Sequence, residues 1–305
     1  MAKRSKNFSG AEIEGLVKSA ASYAFHRNVD VKDLSKPIDE KNLVVQWQDF
    51  EMALGEIQPK FGANNEELGA LFRNGIVHYG PAFDAIATTM RRLIEQVRGS
   101  ERTPLMSVLL EGPAATGKTA LAAKMAVESS FPFIRMISAD NMIGMGEAGK
   151  CSYISRVFMD SYKSPLSLIL IDDIERIIDY VQIGPRFSNT VLQTLLVLLK
   201  KPPPTEGKRL LVVGTTSVPH LLEDLQLVAA FNVALHVPHL QGPDEVKAVL
   251  RELVPMAQAD MDDIASAISK PIGIKQLLMV TEMARSDADT VDCHRFLECL
   301  HTCGY

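Results

Sequence analysis

Apolar residues recur at helical spacing in the first part of the chain. Ser9 and Glu12 form a capping box, and a periodic apolar pattern follows them. A second helical pattern covers residues 49–57 and ends at a turn-rich stretch. Because a segment of this length is too short for a full domain, we predict a helical segment over residues 1–58 and a boundary between residues 58 and 64.

The middle of the chain alternates short apolar runs with longer helical patterns. The runs are rich in β-branched residues and occupy residues 107–110, 133–137, 166–171, 210–213 and 233–237. Strands that alternate with helices are typical of a parallel sheet covered by helices. The pattern therefore predicts an α/β domain over residues 64–238.

No run of this kind follows Pro243. Four helical patterns take its place, at residues 245–253, 264–268, 274–284 and 294–301. We therefore expect a small helical domain over residues 239–305.

Composition and charge indicate an ordered protein with no general attraction to nucleic acid. Apolar residues make up 47% and charged residues 23% of the 305 positions, close to the average of soluble domains. The net charge of −5 exerts no global pull on nucleic acid or anionic lipid. Strong nonspecific nucleic-acid binding is therefore not expected.

The apolar runs are too short to span a bilayer. The run at residues 166–171 is far below the roughly 20 residues of a transmembrane helix. The basic start of the chain leads into a charged helical pattern rather than the apolar core of a signal peptide. Four cysteines fit a reducing compartment better than a disulfide framework. We expect a cytoplasmic protein without a transmembrane segment, peripheral to membranes only through partners.

A glycine-rich segment between a predicted strand and a predicted helix matches the phosphate-loop pattern G-x-x-x-x-G-K-[ST]. In such a loop the backbone N–H groups and the helix N-terminus face phosphates, while the lysine neutralises the outer phosphates. The threonine hydroxyl is available to Mg²⁺. The pattern predicts ATP and Mg²⁺ as cofactors and the following phosphate-binding residues: Gly112, Pro113, Ala114, Ala115, Thr116, Gly117, Lys118 and Thr119.

Two carboxylates follow the apolar run at residues 166–171. A buried strand that ends in Asp172 and Asp173 delivers acidic groups to the edge of the sheet where nucleotides bind. We predict that Asp172 holds the metal together with Thr119. The run at residues 133–137 lies between the phosphate loop and Asp172 in sequence, which suggests a central strand inserted between the two site strands.

Five motifs carry a resemblance to a known family. They are Gly112-Pro-Ala-Ala-Thr-Gly-Lys-Thr119, Ile171-Asp-Asp-Ile-Glu-Arg176, Ile183-Gly-Pro-Arg-Phe-Ser-Asn189, Val213-Gly-Thr-Thr-Ser217 and Ile272-Gly-Ile-Lys-Gln-Leu-Leu278. With these motifs the chain resembles the second ATPase domain of the vesicle-fusing ATPases, the family of the N-ethylmaleimide-sensitive fusion factor. Residues 6–25 resemble the last helical part of the first ATPase domain of these proteins.

The resemblance implies an AAA+ fold and a hexamer that uses ATP to take SNARE complexes apart in vesicle-mediated transport. The hexamer would be recruited by a soluble attachment protein. The resemblance also implies that the adaptor-binding domain and most of the first ATPase domain are not in this chain. It is therefore expected to be a fragment, a splice form or a divergent gene product.

The resemblance assigns roles to residues outside the phosphate loop. Ser217 matches the first sensor and Lys275 the second sensor, which reaches the γ-phosphate from the helical lid. The residues that match the adenine-binding segment are Ile76, Val77, Tyr79 and Gly80. Ordinary alternatives stay open: Ser217 as a helix cap, Lys275 as a surface lysine, and Ile76 and Val77 as core residues.

Two departures from the family affect hydrolysis. The residue after the metal aspartate is usually glutamate in active AAA+ domains, whereas this chain has Asp173, a shorter group at a position predicted to be catalytic. No arginine lies between Arg209 and Arg251, where the family's arginine fingers are expected. Two functions therefore compete: an ATP hydrolase, and a nucleotide-stabilised assembly module with little turnover. A small-molecule P-loop kinase is a distant third, since the sequence offers no identifiable acceptor site.

Overall fold

The computed structural model describes residues 5, 8–28, 44–57, 65–73, 75–100, 102–182, 186–268, 270–285 and 291–304. The chain forms two compact units, Met1–Ala63 and Asn64–Tyr305.

The first unit contains two helices, α1 (Gly10–Asn28) and α2 (Trp47–Glu56). The helices meet through buried apolar residues, Leu16 and Ala20 on α1 and Ala53 on α2. The predicted capping box is confirmed, because Ser9 N donates to Glu12 Oε2 at 2.6 Å and Glu12 N donates to Ser9 Oγ at 3.3 Å.

A partly buried ion pair joins the two helices of this unit. Asp49 is fully buried, and its Oδ1 accepts a 2.7 Å hydrogen bond from Arg27 Nη1. Its Oδ2 accepts from Gln46 N, also at 2.7 Å. Both carboxylate oxygens are thus satisfied, as a buried charge requires.

The second unit is built on a five-stranded parallel sheet in the order β2-β3-β4-β1-β5. The strands are β1 (Leu105–Glu111), β2 (Phe133–Ile137), β3 (Leu166–Ile171), β4 (Arg209–Thr216) and β5 (Val233–His236). Its helices are α3 (Asn65–Ala70), α4 (Pro81–Gly99), α5 (Lys118–Ser129), α6 (Glu147–Ser161), α7 (Ile174–Ile177), α8 (Asn189–Lys200), α9 (Pro219–Asp224), α10 (Pro243–Leu253), α11 (Gln258–Ala267), α12 (Ile274–Ala284) and α13 (Cys293–Thr302).

One strand separates the two strands that lead into the predicted site. β4 pairs with β1 on one side, beginning at Leu105↔Leu210, and with β3 on the other, ending at Ile171↔Gly214. The inserted strand is thus β4, while β2, which precedes Asp172 in sequence, lies at the edge of the sheet. All five strands end on the same edge, where the phosphate loop begins.

The central strands are buried along nearly their whole length, which explains their continuous apolar sequences. A steric reason explains why β4 contains a glycine, Gly214, within its apolar sequence. A Cβ at this position would come within 2.8 Å of Phe231 Cζ and 2.9 Å of Ile174 Cδ1. The glycine therefore allows α7 and the segment before β5 to pack against the sheet.

The predicted α/β class with a small helical lid is confirmed. We use the word lid for α10–α13, which follow the last strand. The elements predicted at residues 133–137, 166–171 and 274–284 have those bounds in the structure. The division at residues 58–64 and 238–239 stays a prediction. None of the described helices combines the length and apolarity that a membrane span needs.

Candidate nucleotide-binding site

The phosphate loop runs from the end of β1 to the start of α5. Gly112 has φ +145°, and a Cβ there would lie 2.2 Å from the carbonyl oxygen of Val237, which no side chain tolerates. Gly117, the residue before α5, has φ +84°, a conformation that glycine adopts at little cost. The two glycines of the motif are therefore required by the backbone that they form.

Lys118 points its side chain into its own loop. The residue is only 5% exposed, and its Nζ donates to the carbonyls of Gly112 (2.9 Å) and Pro113 (2.5 Å) and to Thr116 Oγ1 (3.2 Å). Burial lowers the pKa of the Lys118 ammonium, and the charges of the nearby Asp173, Glu175 and Asp172, in that order of size, oppose this shift. Among the described residues, the hydrogen bonds of this ammonium group go to neutral oxygens only.

Thr119 and Asp172 lie in direct contact across the end of the sheet. Thr119 Oγ1 donates to Asp172 Oδ1 at 2.6 Å, and Thr215 Oγ1 donates to the same oxygen at 2.8 Å. Burial raises the pKa of the Asp172 carboxyl, while the two hydroxyl donors act in the opposite direction. The contact places a hydroxyl and a carboxylate, both oxygen ligands that Mg²⁺ prefers, beside the phosphate loop.

Asp173 has a left-handed backbone conformation, with φ +47° and ψ +66°. Its N–H donates to Thr215 Oγ1 at 2.9 Å, and its Oδ2 lies 3.3 Å from Arg176 Nε. Because Arg176 is largely exposed, this ion pair is weak. The carboxylate is nevertheless directed toward the first turn of α7.

The end of β4 carries the predicted sensor Ser217. The hydroxyl of Ser217 does not cap the next helix, since α9 begins at Pro219 and Val218 is its N-cap residue. The helix-cap alternative is therefore wrong. The backbone N–H of Ser217 is instead held by Glu175, whose Oε1 accepts from it at 2.8 Å.

The lid touches the phosphate loop at the start of α12. Lys275 N donates to the carbonyl oxygen of Ala115 at 3.0 Å. A Cβ on Gly273 would lie 3.0 Å from Ala115 Cβ, and one on Gly117 would lie 3.4 Å from Ile274 Cγ2. The backbone of Lys275 is thus fixed at the site, while its side chain is exposed, so both interpretations of this lysine stay open.

The predicted adenine segment precedes α4 and contacts the lid. Val77 and Tyr79 are buried and Ile76 is half-buried, so Val77 belongs to the core. The ring of Tyr79 packs against Phe83, with ring centroids 4.8 Å apart. The backbone of Gly80 lies beside Glu245 of α10, since a Cβ on that glycine would be 3.4 Å from Glu245 Oε1.

The hydroxyl of Tyr79 is a buried polar atom with no hydrogen-bond partner in the described part of the chain. Burial, with a smaller contribution from Glu245, raises the pKa of Tyr79 to about 12. His239 Nδ1, just after β5, is also buried and unpartnered within the described ranges. These two orphaned atoms lie on the segments that border the start of the lid.

Models of protein families match two parts of the chain. Residues 108–239, which hold the phosphate loop and Asp172, match the ATPase family associated with various cellular activities (AAA). Residues 1–43 match the AAA+ lid domain. The chain belongs to the AAA family.

Vesicle-fusion proteins are similar to nearly the whole of this AAA chain. A vesicle-fusing ATPase of Dictyostelium discoideum is 47% identical over 287 residues, which cover 94% of this chain and 39% of that protein. A vesicle-fusing ATPase of Arabidopsis thaliana is 47% identical over 284 residues, 93% of this chain and 38% of that protein. The vesicular-fusion protein SEC18 of Saccharomyces cerevisiae is 40% identical over 300 residues, 96% of this chain and 39% of that protein.

These similarities confirm the resemblance that the sequence motifs predicted. The AAA chain spans about two fifths of the length of these relatives. The match of residues 1–43, which include α1, to a lid model agrees with the interpretation of this segment as the end of an upstream ATPase domain.

Direct contacts connect most of the predicted site of this AAA chain. They join the phosphate loop to Asp172, Asp172 and Asp173 to β4 through Thr215, and the loop to α12. In the motif at residues 183–189, residues 183–185 lie outside the described residues. Ser188 in this motif caps α8, because its Oγ accepts from Val191 N at 3.3 Å.

Sequence reasoning missed two residues of this arrangement. Thr215 is fully buried at the end of β4, where it contacts Asp172 and the backbone of Asp173. Glu175 holds Thr216 and Ser217. The available signal was the change from apolar to hydroxyl side chains in Val213-Gly-Thr-Thr-Ser217, which marks the point where β4 leaves the hydrophobic core.

Proposed function

We propose that this AAA chain binds ATP with Mg²⁺ through residues 112–119 and Asp172, and that the bound nucleotide stabilises assembly while turnover stays slow. The observation that carries this proposal is the buried ammonium of Lys118, which only neutral oxygens contact within the described residues. A buried cation is costly, and the charges of Asp173, Glu175 and Asp172 offset that cost only in part, since the pKa of Lys118 stays lowered. A phosphate group beside the loop would offset that cost.

The surroundings of Lys118 support a phosphate ligand further. The loop opens α5, a helix of 12 residues whose N-terminal N–H groups carry partial positive charge. Thr119 Oγ1 and Asp172 Oδ1 would hold Mg²⁺, which neutralises phosphate charge when it is bound. We propose that Ser217 and Lys275 contact the terminal phosphate.

The base is proposed to lie against Ile76, Val77, Tyr79 and Gly80. Because Val77 and Tyr79 are buried, the backbone of this segment is the part available to a base. The orphaned Tyr79 hydroxyl and His239 Nδ1 support a polar ligand near this junction with the lid.

Slow hydrolysis is supported by the position of Asp173. Its carboxylate is one methylene shorter than the glutamate usual in active AAA+ domains, and it lies beside Arg176. Misplacement of a catalytic group by about 1 Å can reduce a rate on the order of 100-fold. The sequence also lacks an arginine between residues 209 and 251, and an arginine finger is worth about 10³–10⁵ in rate. These observations favour the assembly module over a fast hydrolase.

The wider role is proposed from the relatives. Their names, vesicle-fusing ATPase and vesicular-fusion protein, support ATP hydrolase activity of the vesicle-fusing type and a place in vesicle-mediated transport. We propose a hexameric ring that contributes to the disassembly of SNARE complexes through a soluble attachment protein. This role places the chain in the cytoplasm, peripheral to membranes through its partners.

Titration with a fluorescent ATP analogue tests the nucleotide site. Lys118→Ala is expected to abolish binding, because the triphosphate loses its main cationic partner. Lys124→Ala is the matched control, since it removes a partly exposed lysine from the same helix and should bind as the wild type does. A folded Lys118→Ala protein with wild-type affinity would refute the phosphate-loop assignment.

A further inference from the structure

Side chains continue the connection between β3 and β4 beyond the point where their backbone pairing stops. The last backbone pair is Ile171↔Gly214. Past it, Thr215 Oγ1 accepts from Asp173 N at 2.9 Å and donates to Asp172 Oδ1 at 2.8 Å. The chain after β3 is thus tied to the end of β4 by hydrogen bonds that no strand ladder provides.

Glu175 makes the outermost of these connections. Its Oε2 accepts from Thr216 Oγ1 at 2.9 Å, and its Oε1 accepts from Ser217 N at 2.8 Å. Thr216 is fully buried, and its Oγ1 also accepts from Val218 N at 3.2 Å, which orients the hydroxyl proton toward Glu175. Charge-assisted bonds of this kind are roughly twice as strong as neutral ones.

These contacts decide what Glu175 can do. The chain lacks a glutamate directly after Asp172, and Glu175 is the nearest glutamate that follows. Each of its carboxylate oxygens, however, is engaged by β4 or by Ser217. A carboxylate held in this way serves the position of its partners rather than proton transfer.

Ser217 is the partner that we propose to contact the terminal phosphate. Its backbone N–H is bound to Glu175, and its hydroxyl has no hydrogen-bond partner among the described residues. Its backbone is therefore fixed while its hydroxyl is available to a ligand. Glu175 also lies near the phosphate loop, since its negative charge acts to raise the pKa of Lys118, against the larger effect of burial.

We infer that Glu175 is a positioning residue that holds Ser217 where its hydroxyl meets the terminal phosphate, so that the site distinguishes ATP from ADP. The inference rests on the proposed function, because it requires that the loop binds nucleotide. It assigns Glu175 no contact with the nucleotide itself.

The test is a comparison of affinities for ATP and ADP, both with Mg²⁺, by isothermal titration calorimetry. Four proteins form a double-mutant cycle: wild type, Ser217→Ala, Glu175→Ala and the double variant. Ser217→Ala should lower the preference for ATP over ADP about tenfold, the effect of one hydrogen bond to a charged group. Glu175→Ala should lower it roughly three- to tenfold by the same route. The double variant should match Ser217→Ala.

Two further variants separate position from charge. The loss of a negative charge near the site would by itself raise the affinity for the more highly charged ATP. The inference expects the opposite, a lower preference for ATP over ADP in Glu175→Ala. Glu175→Gln removes the charge but keeps an oxygen that can accept from Ser217 N, so it should keep the preference for ATP. Glu147→Ala is the matched control, because Glu147 Oε2 accepts from the hydroxyl of Thr190 at 3.0 Å, outside the contacts of the site.

The outcomes separate this inference from the proposed function. A wild type that binds neither nucleotide would refute the proposed function. If the wild type binds ATP and Glu175→Ala leaves the ATP preference unchanged, or if its effect adds to that of Ser217→Ala, the inference is overturned alone. Should Glu175→Ala fail to fold, Thr216→Val removes one of the two bonds to Glu175 with little change in volume. It should lower the preference by a smaller factor, and no change would again overturn the inference.

Discussion

The hydroxyl of Thr119 donates a 2.6 Å hydrogen bond to Asp172 Oδ1, a residue 53 positions further along the chain. The first residue belongs to α5 and the second follows β3, yet β4 lies between the two strands that precede them. Both proposed metal ligands are therefore in contact across the width of one strand. The fold itself brings the two side chains together, because the strands that precede them end at the same edge of the sheet.

Removal of the Thr119 hydroxyl should weaken nucleotide binding only when Mg²⁺ is present. Thr119→Val keeps the volume of the side chain but removes one oxygen ligand, so ATP affinity should fall about tenfold in Mg²⁺ and change little in EDTA. Thr119→Ser keeps the hydroxyl and serves as the control. Fluorescent-nucleotide titrations in both buffers measure the difference, and an equal loss in both buffers would remove Thr119 from the metal site.

Steady-state hydrolysis by the wild type should be very slow, on the order of 10⁻² per second or below, as in P-loop sites without an activator. Asp173→Glu should raise the rate, because it lengthens the carboxylate by one methylene to the side chain usual at this position in active AAA+ domains. Asp173→Asn is the control and should not raise it. A phosphate-release assay measures all three proteins, and a wild-type rate of several per second would reveal an activating residue that neither the sequence nor the site indicates.

ATP with Mg²⁺ should drive assembly into a ring, expected to be a hexamer, without hydrolysis. The N–H of Lys275 contacts the phosphate loop, so a nucleotide in that loop can fix the angle of the lid against which the next subunit would pack. A ligand that binds only the assembled form stabilises it by about 2.7 kcal/mol per site at a hundredfold excess over Kd. A nonhydrolysable analogue should act like ATP, whereas ADP, or Lys275→Ala with ATP, should support the ring less well.

Sedimentation velocity measures this assembly. Wild type with ATP, with the analogue, with ADP and without nucleotide gives four samples at one protein concentration. Equal monomer populations in all four would contradict nucleotide-driven assembly, and they would leave nucleotide binding without an assigned purpose.

Tyr79→Phe should not reduce stability at pH 8, because the buried hydroxyl that it removes has no partner among the described residues. At alkaline pH the two proteins should differ. The pKa of Tyr79 is about 12 in the folded chain and about 10 in an unfolded one, so the folded state holds this proton more tightly. The resulting stability is complete below pH 10 and is lost as the pH rises toward 12.

Urea unfolding at pH 8 and at pH 10.5 measures this difference. The wild type should lose more stability between the two values than Tyr79→Phe does. Tyr180→Phe is the matched control, since it removes another tyrosine hydroxyl from the same unit and should keep the alkaline loss. A clear loss of stability in Tyr79→Phe at pH 8 would show that this hydroxyl has a partner.

The sequence predicted those strands best that begin and end with apolar residues. β2 and β3 have the predicted bounds, because each is mostly apolar and has an apolar residue at both ends. β4 extends from Arg209 to Thr216, well beyond the predicted 210–213, because hydroxyl side chains continue the strand after the apolar residues stop. A prediction based on apolar runs ends where those runs end, whereas backbone pairing continues.

The candidate site was predicted in its parts but not in its connections. The phosphate loop and the strand-end carboxylates have local patterns that a single sequence displays. The role of Glu175 has none, since it depends on an acceptor meeting an N–H 42 residues away. The direction of the Lys118 side chain was likewise hidden, because the carbonyls that hold it are backbone atoms and leave no mark in the sequence.

The order of the strands also sets when the site can form during synthesis. β1, which leads into the phosphate loop, pairs with β4 and β5, and both follow it in the chain. Leu105 therefore cannot pair before Leu210 has been synthesised, nor Val108 before Val233. A nascent chain that has left the ribosome only as far as β3 therefore exposes both edges of β1, the kind of unpaired edge on which aggregation and chaperone capture depend. ATP can act as a folding ligand for this site only after β4 and β5 have emerged.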